Sequence, residues 1–413
     1  MVERTGRSAL SVGAGAAIAA LSGVLVLAIA ARSLTTAQNS GFLTYWAALF
    51  AVFAVLSGIQ NEMTRAVRAD QRTDGTRGTS PIATALLVGV GAAVIVLLLF
   101  PLWQTAFRAL DDRLTPMLLI AGAALLYAGH VATVGMLAGL GRWRAFGALT
   151  AAESLVRLVA TAVVALVGAG TAGFEYAAAG GTLTWLAATL LLPRGRALWR
   201  ARIALSRGAL VRRVLNAMAS SGANALLVTG FPLLMSVTTD PDVYSRAAPL
   251  VVAVSMTRAP LLIPITAFQS MVIAAFVEHP ERARSSLIRL VAAISGIAAA
   301  GGVLAALVGP WLMRLVFGPA YGNTPLVLGL LVMAASLLAL LVLGGSVALA
   351  LDAHTVSAFG WYAALVVSVV IMLVPAPLEV RTVLALSLGP LVGSAIHLFF
   401  ITRTLRRRAA RVL

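Results

Sequence analysis

The feature that most constrains this chain is a repeating alternation. Apolar runs of about 20 residues, the length a helix needs to cross a bilayer, are separated by short segments crowded with arginine. Such runs predict twelve helices near 9–31, 41–63, 82–103, 116–140, 146–168, 175–192, 214–237, 247–277, 287–308, 325–350, 356–374 and 382–401. Hydrophobic residues make up 60% of the chain and charged residues 11%, where a soluble protein carries about 25% charged. The expected fold class is therefore all-α, a polytopic membrane protein of about twelve transmembrane helices. The eighth run contains Pro249, Pro260 and Pro264, so a kink or break is expected there.

All 31 basic residues are arginines; counted over alternate loops, 23 fall on one side and six on the other. The positive-inside rule then places both termini in the cytoplasm. The net charge of +17 does not point to nucleic acid, because the arginines edge the spans instead of forming one basic face. With no cysteine, disulfides and thiolate sites are excluded, and the four scattered histidines lack metal-ligand spacing. No metal or cofactor is expected. The first run is long enough to span and has no convincing cleavage site, so it reads as a helix and not as a removed signal peptide. The arginine-only, Ala/Gly-rich usage looks like that of a bacterial genome of high GC content, and the long apolar runs between clustered charges point to the cytoplasmic membrane.

The longest loop, "RGRALWRARIALSRGALVRR" (194–213), follows the sixth run. It divides the chain into two sets of six helices, 1–205 and 206–413. It reads either as a basic amphipathic segment on the anionic leaflet or as a solvated linker. Six plus six suggests internal duplication, with "RAFGALTAA" (144–152) and "SAFGWYAA" (357–364) opening corresponding helices.

Charges inside the runs are few. "AAESLVRLVATAVVALVG" (151–168) holds Glu153 and Arg157, in the favourable order and spacing for a same-helix ion pair. Arg157 lies on the order of 17 Å into a core about 30 Å thick. A charge there costs roughly 2.5–3.5 kcal/mol, so it must face protein or water. Either the pair neutralises itself and locks packing, or Arg157 lines a cavity and binds an anion while Glu153 holds it or carries a proton. Of the fourteen acids, Glu153 is the one expected deep in a span. Arg258, near Pro260 in the other half, is the second mid-span arginine. Asn216, Asn224 and Gln269 are further candidates for cargo contact, with interhelical hydrogen bonding as the alternative. His130 reads as structural, Glu62 and Arg65 as a cytoplasmic gate or interfacial anchors, and "GMLAG" (135–139) as a packing element.

Several stretches carry a family resemblance. "LAGLGRWRAFGALTAAESLVRLV" (137–159), "AIAARSLTTAQNSGFLTYWAAL" (28–49), "MRLVFGPAYGNTP" (313–325) and "MTRAPLLIPITAFQ" (256–269) together resemble polysaccharide flippases of the multidrug/oligosaccharidyl-lipid/polysaccharide (MOP) exporter superfamily. Ser33-Leu34-Thr35-Thr36 replaces the family's usual turn after the first helix. The resemblance implies two six-helix bundles around a central cavity, alternating access, and export of polyprenyl-diphosphate-linked oligosaccharide for cell-surface polysaccharide synthesis. Arg157 and Arg258 would then meet the diphosphate. It also implies contact with membrane lipids and with polysaccharide-assembly proteins.

Three other readings compete. A multidrug/cation antiporter of the same superfamily would be expected to carry carboxylates in its first helix, and 9–31 has none. A major-facilitator transporter would need a spacing that "RADQRTDGTRG" (68–78) lacks. An integral-membrane glycosyltransferase would favour acids in a sizeable first external loop, and 32–40 has none.

Overall fold

The computed structural model describes residues 2–70, 78–108, 110, 112–258, 283–351 and 353–409. These residues are helical almost throughout, and the one β-type pairing among them is an isolated bridge between Thr79 and Ile203. The helices are α1 (Val2–Ser33), α2 (Thr36–Asp70), α3 (Pro81–Leu98), α4 (Phe100–Ala106), α5 (Leu114–Gly139), α6 (Trp143–Val167), α7 (Gly170–Gly180), α8 (Thr184–Leu191) and α9 (Pro193–Arg200). They continue as α10 (Arg207–Val228), α11 (Phe231–Thr238), α12 (Pro241–Tyr244), α13 (Ala248–Arg258), α14 (Ala283–Phe317), α15 (Pro325–Ala350), α16 (His354–Met372) and α17 (Leu378–Ala409).

Nine described helices are long and apolar enough to cross a membrane, and α10 with α11 makes a tenth if the bent pair is one span. The predicted sixth run is α7 and α8, joined by a 3-10 turn at Gly181–Leu183. The eighth begins as α13, and its expected proline break beyond Arg258 lies outside the described residues. A break appears instead between α10 and α11, bent by 63°. There Thr229 and Gly230 both donate to the carbonyl of Ala225, and Pro232 has no N–H to continue the ladder.

Large apolar side chains such as Leu166, Leu307 and Phe399 are exposed. In water this would be costly; in a bilayer these groups meet lipid tails. The chain is thus a multi-pass membrane protein.

Two compact units are present, Met1–Val237 and Thr238–Leu413. Within the first unit α10 packs along α2: a Cβ on Gly58 would lie 2.5 Å from the Met218 nitrogen. The 194–213 loop is neither a free linker nor a purely surface segment. Leu198, Ile203 and Leu210 are buried, Thr79 and Ile203 exchange backbone hydrogen bonds of 3.0 and 3.1 Å, and the Ala204 N–H donates to Asp70.

The "GMLAG" element does pack. A Cβ at Gly135 would lie 2.6 Å from the Gln60 carbonyl oxygen, and one at Gly139 would lie 2.9 Å from that of Thr64. Only glycine lets α5 approach α2 this closely, and the Thr64 hydroxyl donates to the Gly135 carbonyl at 3.2 Å.

Candidate functional site

The first unit holds a polar cluster inside its apolar interior. Arg157 on α6 is 5% exposed and ion-paired with Glu153, one turn earlier on the same helix. Its Nε donates to the Ala178 carbonyl of α7 at 3.2 Å. The guanidinium also lies over the rings of Phe50, 4.8 Å away, and Trp46, 5.8 Å away, both on α2. Trp46, Phe50 and Phe53 recur at spacings of four and three and so share one face of α2. Phe53 stacks on Tyr127 at 3.8 Å, and Tyr127 stacks on His130 of α5. Gly181 admits the cluster: a Cβ there would fall 2.8 Å from the Glu153 carbonyl oxygen.

A second carboxylate belongs here. Glu175 on α7 is buried, and the Tyr45 hydroxyl donates to its backbone carbonyl at 3.1 Å. Glu153 therefore shares the buried interior of the first unit with Glu175, and Glu62 is buried there too. Glu175 stands at the first residue of the predicted span and reads as a boundary residue, but α7 starts five residues earlier and Phe174 and Tyr45 are buried around it.

Glu62 and Arg65 lie in α2, two turns before its end, because the helix runs on past the last apolar residue to Asp70. Glu62 is 2% exposed and pairs with the exposed Arg65; Arg213 of α10 approaches its other oxygen at 3.8 Å. One buried carboxylate thus bridges two helices. Asn216 and Asn224 are both exposed on α10, and Asn216 lines a shallow pocket with Arg207 and Arg212.

In the second unit, Arg258 is buried and is the last described residue of α13. Gln269 lies outside the described residues. Arg381, counted from sequence as an external loop residue, is instead buried in the first turn of α17. It donates to the carbonyls of Thr238 and Met372 at 2.9 and 2.7 Å and to the Thr239 hydroxyl at 3.0 Å. A lone arginine next to a proline-rich turn gives no local sign of this. Among the described residues, no group of three His, Asp or Glu side chains is placed to hold a metal ion.

These helices have a known arrangement. The chain resembles a MATE-family multidrug resistance transporter of the MOP superfamily, solved in an inward-facing conformation, with a TM-score of 0.75 and 14% identity; the match covers 94% of this chain and 95% of that one. It also resembles a MOP superfamily transporter from Pyrococcus furiosus, described by the reverse polarity of its binding pocket, with a TM-score of 0.62 and 16% identity over 95% of this chain and 96% of that one. The fold is that of the MATE transporters, all-helical with two helical bundles. No protein-family model matches the chain. In sequence it is 38% identical over 402 residues to the uncharacterized protein Rv3630 of Mycobacterium tuberculosis, covering 96% of this chain and 92% of that one. It is 36% identical over 401 residues to the uncharacterized protein Rv1510 of the same species, with the same coverage. The chain belongs to the family that contains these two mycobacterial proteins.

Proposed function

We propose that this protein is an alternating-access transporter of the bacterial cytoplasmic membrane, with both termini in the cytoplasm. Its cargo is a lipid-linked, anionic oligosaccharide used in cell-surface polysaccharide synthesis. The likeness to MATE transporters over 94% of the chain supports transport. The observation that supports this cargo is the retention of arginine inside apolar spans, with Arg157 and Arg258 both buried. A guanidinium stays charged and offers a planar fork of donors that suits a diphosphate. Arg157 is engaged by Glu153, Ala178 and two aromatic faces. Cargo binding at Arg157 is therefore an exchange, in which phosphate oxygens replace the Glu153 carboxylate and Glu153 is released to take up a coupling proton. The Glu62 bridge between α2 and Arg213 of α10 acts as a cytoplasmic gate that breaks as the helices part. Polysaccharide-assembly proteins are the partners this role implies.

A second reading, a multidrug/cation antiporter, draws on the two buried carboxylates Glu153 and Glu175 beside an aromatic face, which suits a cation as well. Reconstituted proteoliposomes separate the two readings. Protein-dependent movement of a fluorescent polyprenyl-diphosphate oligosaccharide is expected, and Arg157→Ala and Arg258→Ala should each abolish it in proteoliposomes holding equal amounts of folded protein. Unchanged movement in both variants, or proton-driven efflux of ethidium with no lipid movement, would overturn the proposal.

A further inference from the structure

Apart from the Arg157 cluster, the first unit carries a cavity of about 1020 Å³ between α5, α6, α8 and α9. It runs from the α5–α6 turn inward to Thr133 and Thr184. Each of these lies eight residues, or about 12 Å of helix, from Gly141 and Leu192 at the outer end. Leu137 and Leu149 line its inner part with Thr133, Thr184 and Thr189, whose hydroxyls donate to backbone carbonyls, and its outer end carries Arg142, Trp143 and Arg144. Both arginines are exposed and Trp143 is half-buried, the position aromatic residues favour at a membrane interface.

One wall is continuous with the lipid-facing surface. Ala145, Ala148 and Ala152 line the cavity, are exposed, and share one face of α6 by their spacing. The same face continues as the exposed Val156, Val159 and Val163. Arg157 projects from another face and does not line the cavity. An apolar trough that joins the bilayer and ends in two cations has the two-part chemistry of an amphiphile with a negative head. No side chain caps the start of α6, so its first N–H groups add positive potential at the same end.

We propose that this cavity holds an anionic glycerophospholipid from the arginine-rich leaflet. The phosphate sits between Arg142 and Arg144, and an acyl chain lies along Ala145, Ala148 and Ala152. The volume matches the upper end of small-molecule sites, about 300–1,000 Å³, so it suits one lipid and not a partner helix. The site does not depend on the cargo proposed above.

The test uses the full chain reconstituted in equal parts phosphatidylglycerol and phosphatidylethanolamine, then extracted, with co-purified lipid measured by native mass spectrometry. Each surface arginine is worth about 1 kcal/mol toward an anionic lipid, or roughly fivefold. The pair should therefore give phosphatidylglycerol an enrichment of ten- to thirtyfold. Arg142→Gln/Arg144→Gln should remove that enrichment, Arg142→Lys/Arg144→Lys should keep most of it, and Ala148→Phe should reduce retention of both lipids. Equal retention of the two lipids by the wild type would overturn the proposal. So would an enrichment that survives both the Gln pair and Ala148→Phe, which places the lipid elsewhere. Displacement of phosphatidylglycerol by stoichiometric polyprenyl diphosphate, lost in the same variants, would assign the cavity to cargo instead and also overturn it.

Discussion

The Glu153–Arg157 pair allows a quantitative test of what a buried ion pair does inside a membrane bundle. Removing one partner of such a pair costs about 3–5 kcal/mol, because the other charge is left buried. Arg157→Leu falls in that range, since Glu153 keeps only the Ser154 hydroxyl, 3.3 Å away. Glu153→Leu should be milder, because Arg157 retains the Ala178 carbonyl and two ring faces. Desolvated cation–π contacts are worth about 2 kcal/mol, which leaves a net cost of roughly 1–3 kcal/mol. The double variant Glu153→Leu/Arg157→Leu leaves neither partner of the pair as an orphaned charge and should fall within about 1 kcal/mol of wild type or above it. The coupling between the two sites is then at least about 3 kcal/mol. Reversible unfolding in mixed SDS micelles, followed by tryptophan fluorescence, would measure the full cycle. Single-variant costs that add to the double-variant cost within about 0.5 kcal/mol would show that the two residues do not act as a pair. The same double variant then separates packing from transport. If it is stable but cannot move lipid-linked oligosaccharide, Arg157 has a role beyond the ion pair; normal movement reduces the pair to a packing element.

Two further outcomes follow from groups outside that cluster. Arg381→Ala should cost at least about 4 kcal/mol in the same unfolding assay, since it loses three hydrogen bonds from a charged group, each worth about 1.5–3 kcal/mol. Arg381→Lys should recover less than half of this, because one ammonium cannot span the Thr238, Thr239 and Met372 acceptors; full recovery by lysine would contradict the assignment. Asp112, in the loop before α5, accepts from the N–H groups of Leu114 and Thr115 at 2.9 and 3.1 Å, and its hydrogen bonds with Thr115, side chain first, hold its carboxyl below the usual range. A lowered folded value means the cap is complete above the ordinary aspartate value of about 3.9 and is lost as pH falls through the folded one. NMR titration of the carboxyl carbon should show this low midpoint, and Thr115→Ala should move it upward.

The sequence makes the spans legible and leaves their faces mostly hidden, for a reason specific to bilayers. In a soluble bundle the apolar stripe marks the inside; here lipid and interior are both apolar, so hydropathy cannot rank the sides of a helix. Face information survives only where a small or polar residue interrupts the run. "GMLAG" is one such mark, and it meets α2 at Gln60 and Thr64. The Glu153–Arg157 pair is another, and Arg157 meets α2 at Phe50 and Trp46. Arg213, at the head of α10 just before its apolar run, adds a charged approach to α2 at Glu62. Contacts from α5, α6 and α10 therefore converge on one helix, whose own polar residues, Glu62 among them, do not show which helices it meets. The most apolar window of α2 is 67% buried, against 22% for that of α6. The charged pair lies on the less buried helix, and the aromatic surface that shields it comes from the central one. The separation explains why Glu153 and Arg157 are legible from spacing alone while Trp46 and Phe50 are not: a mark shows that a helix has an inner face, and only packing supplies the partner.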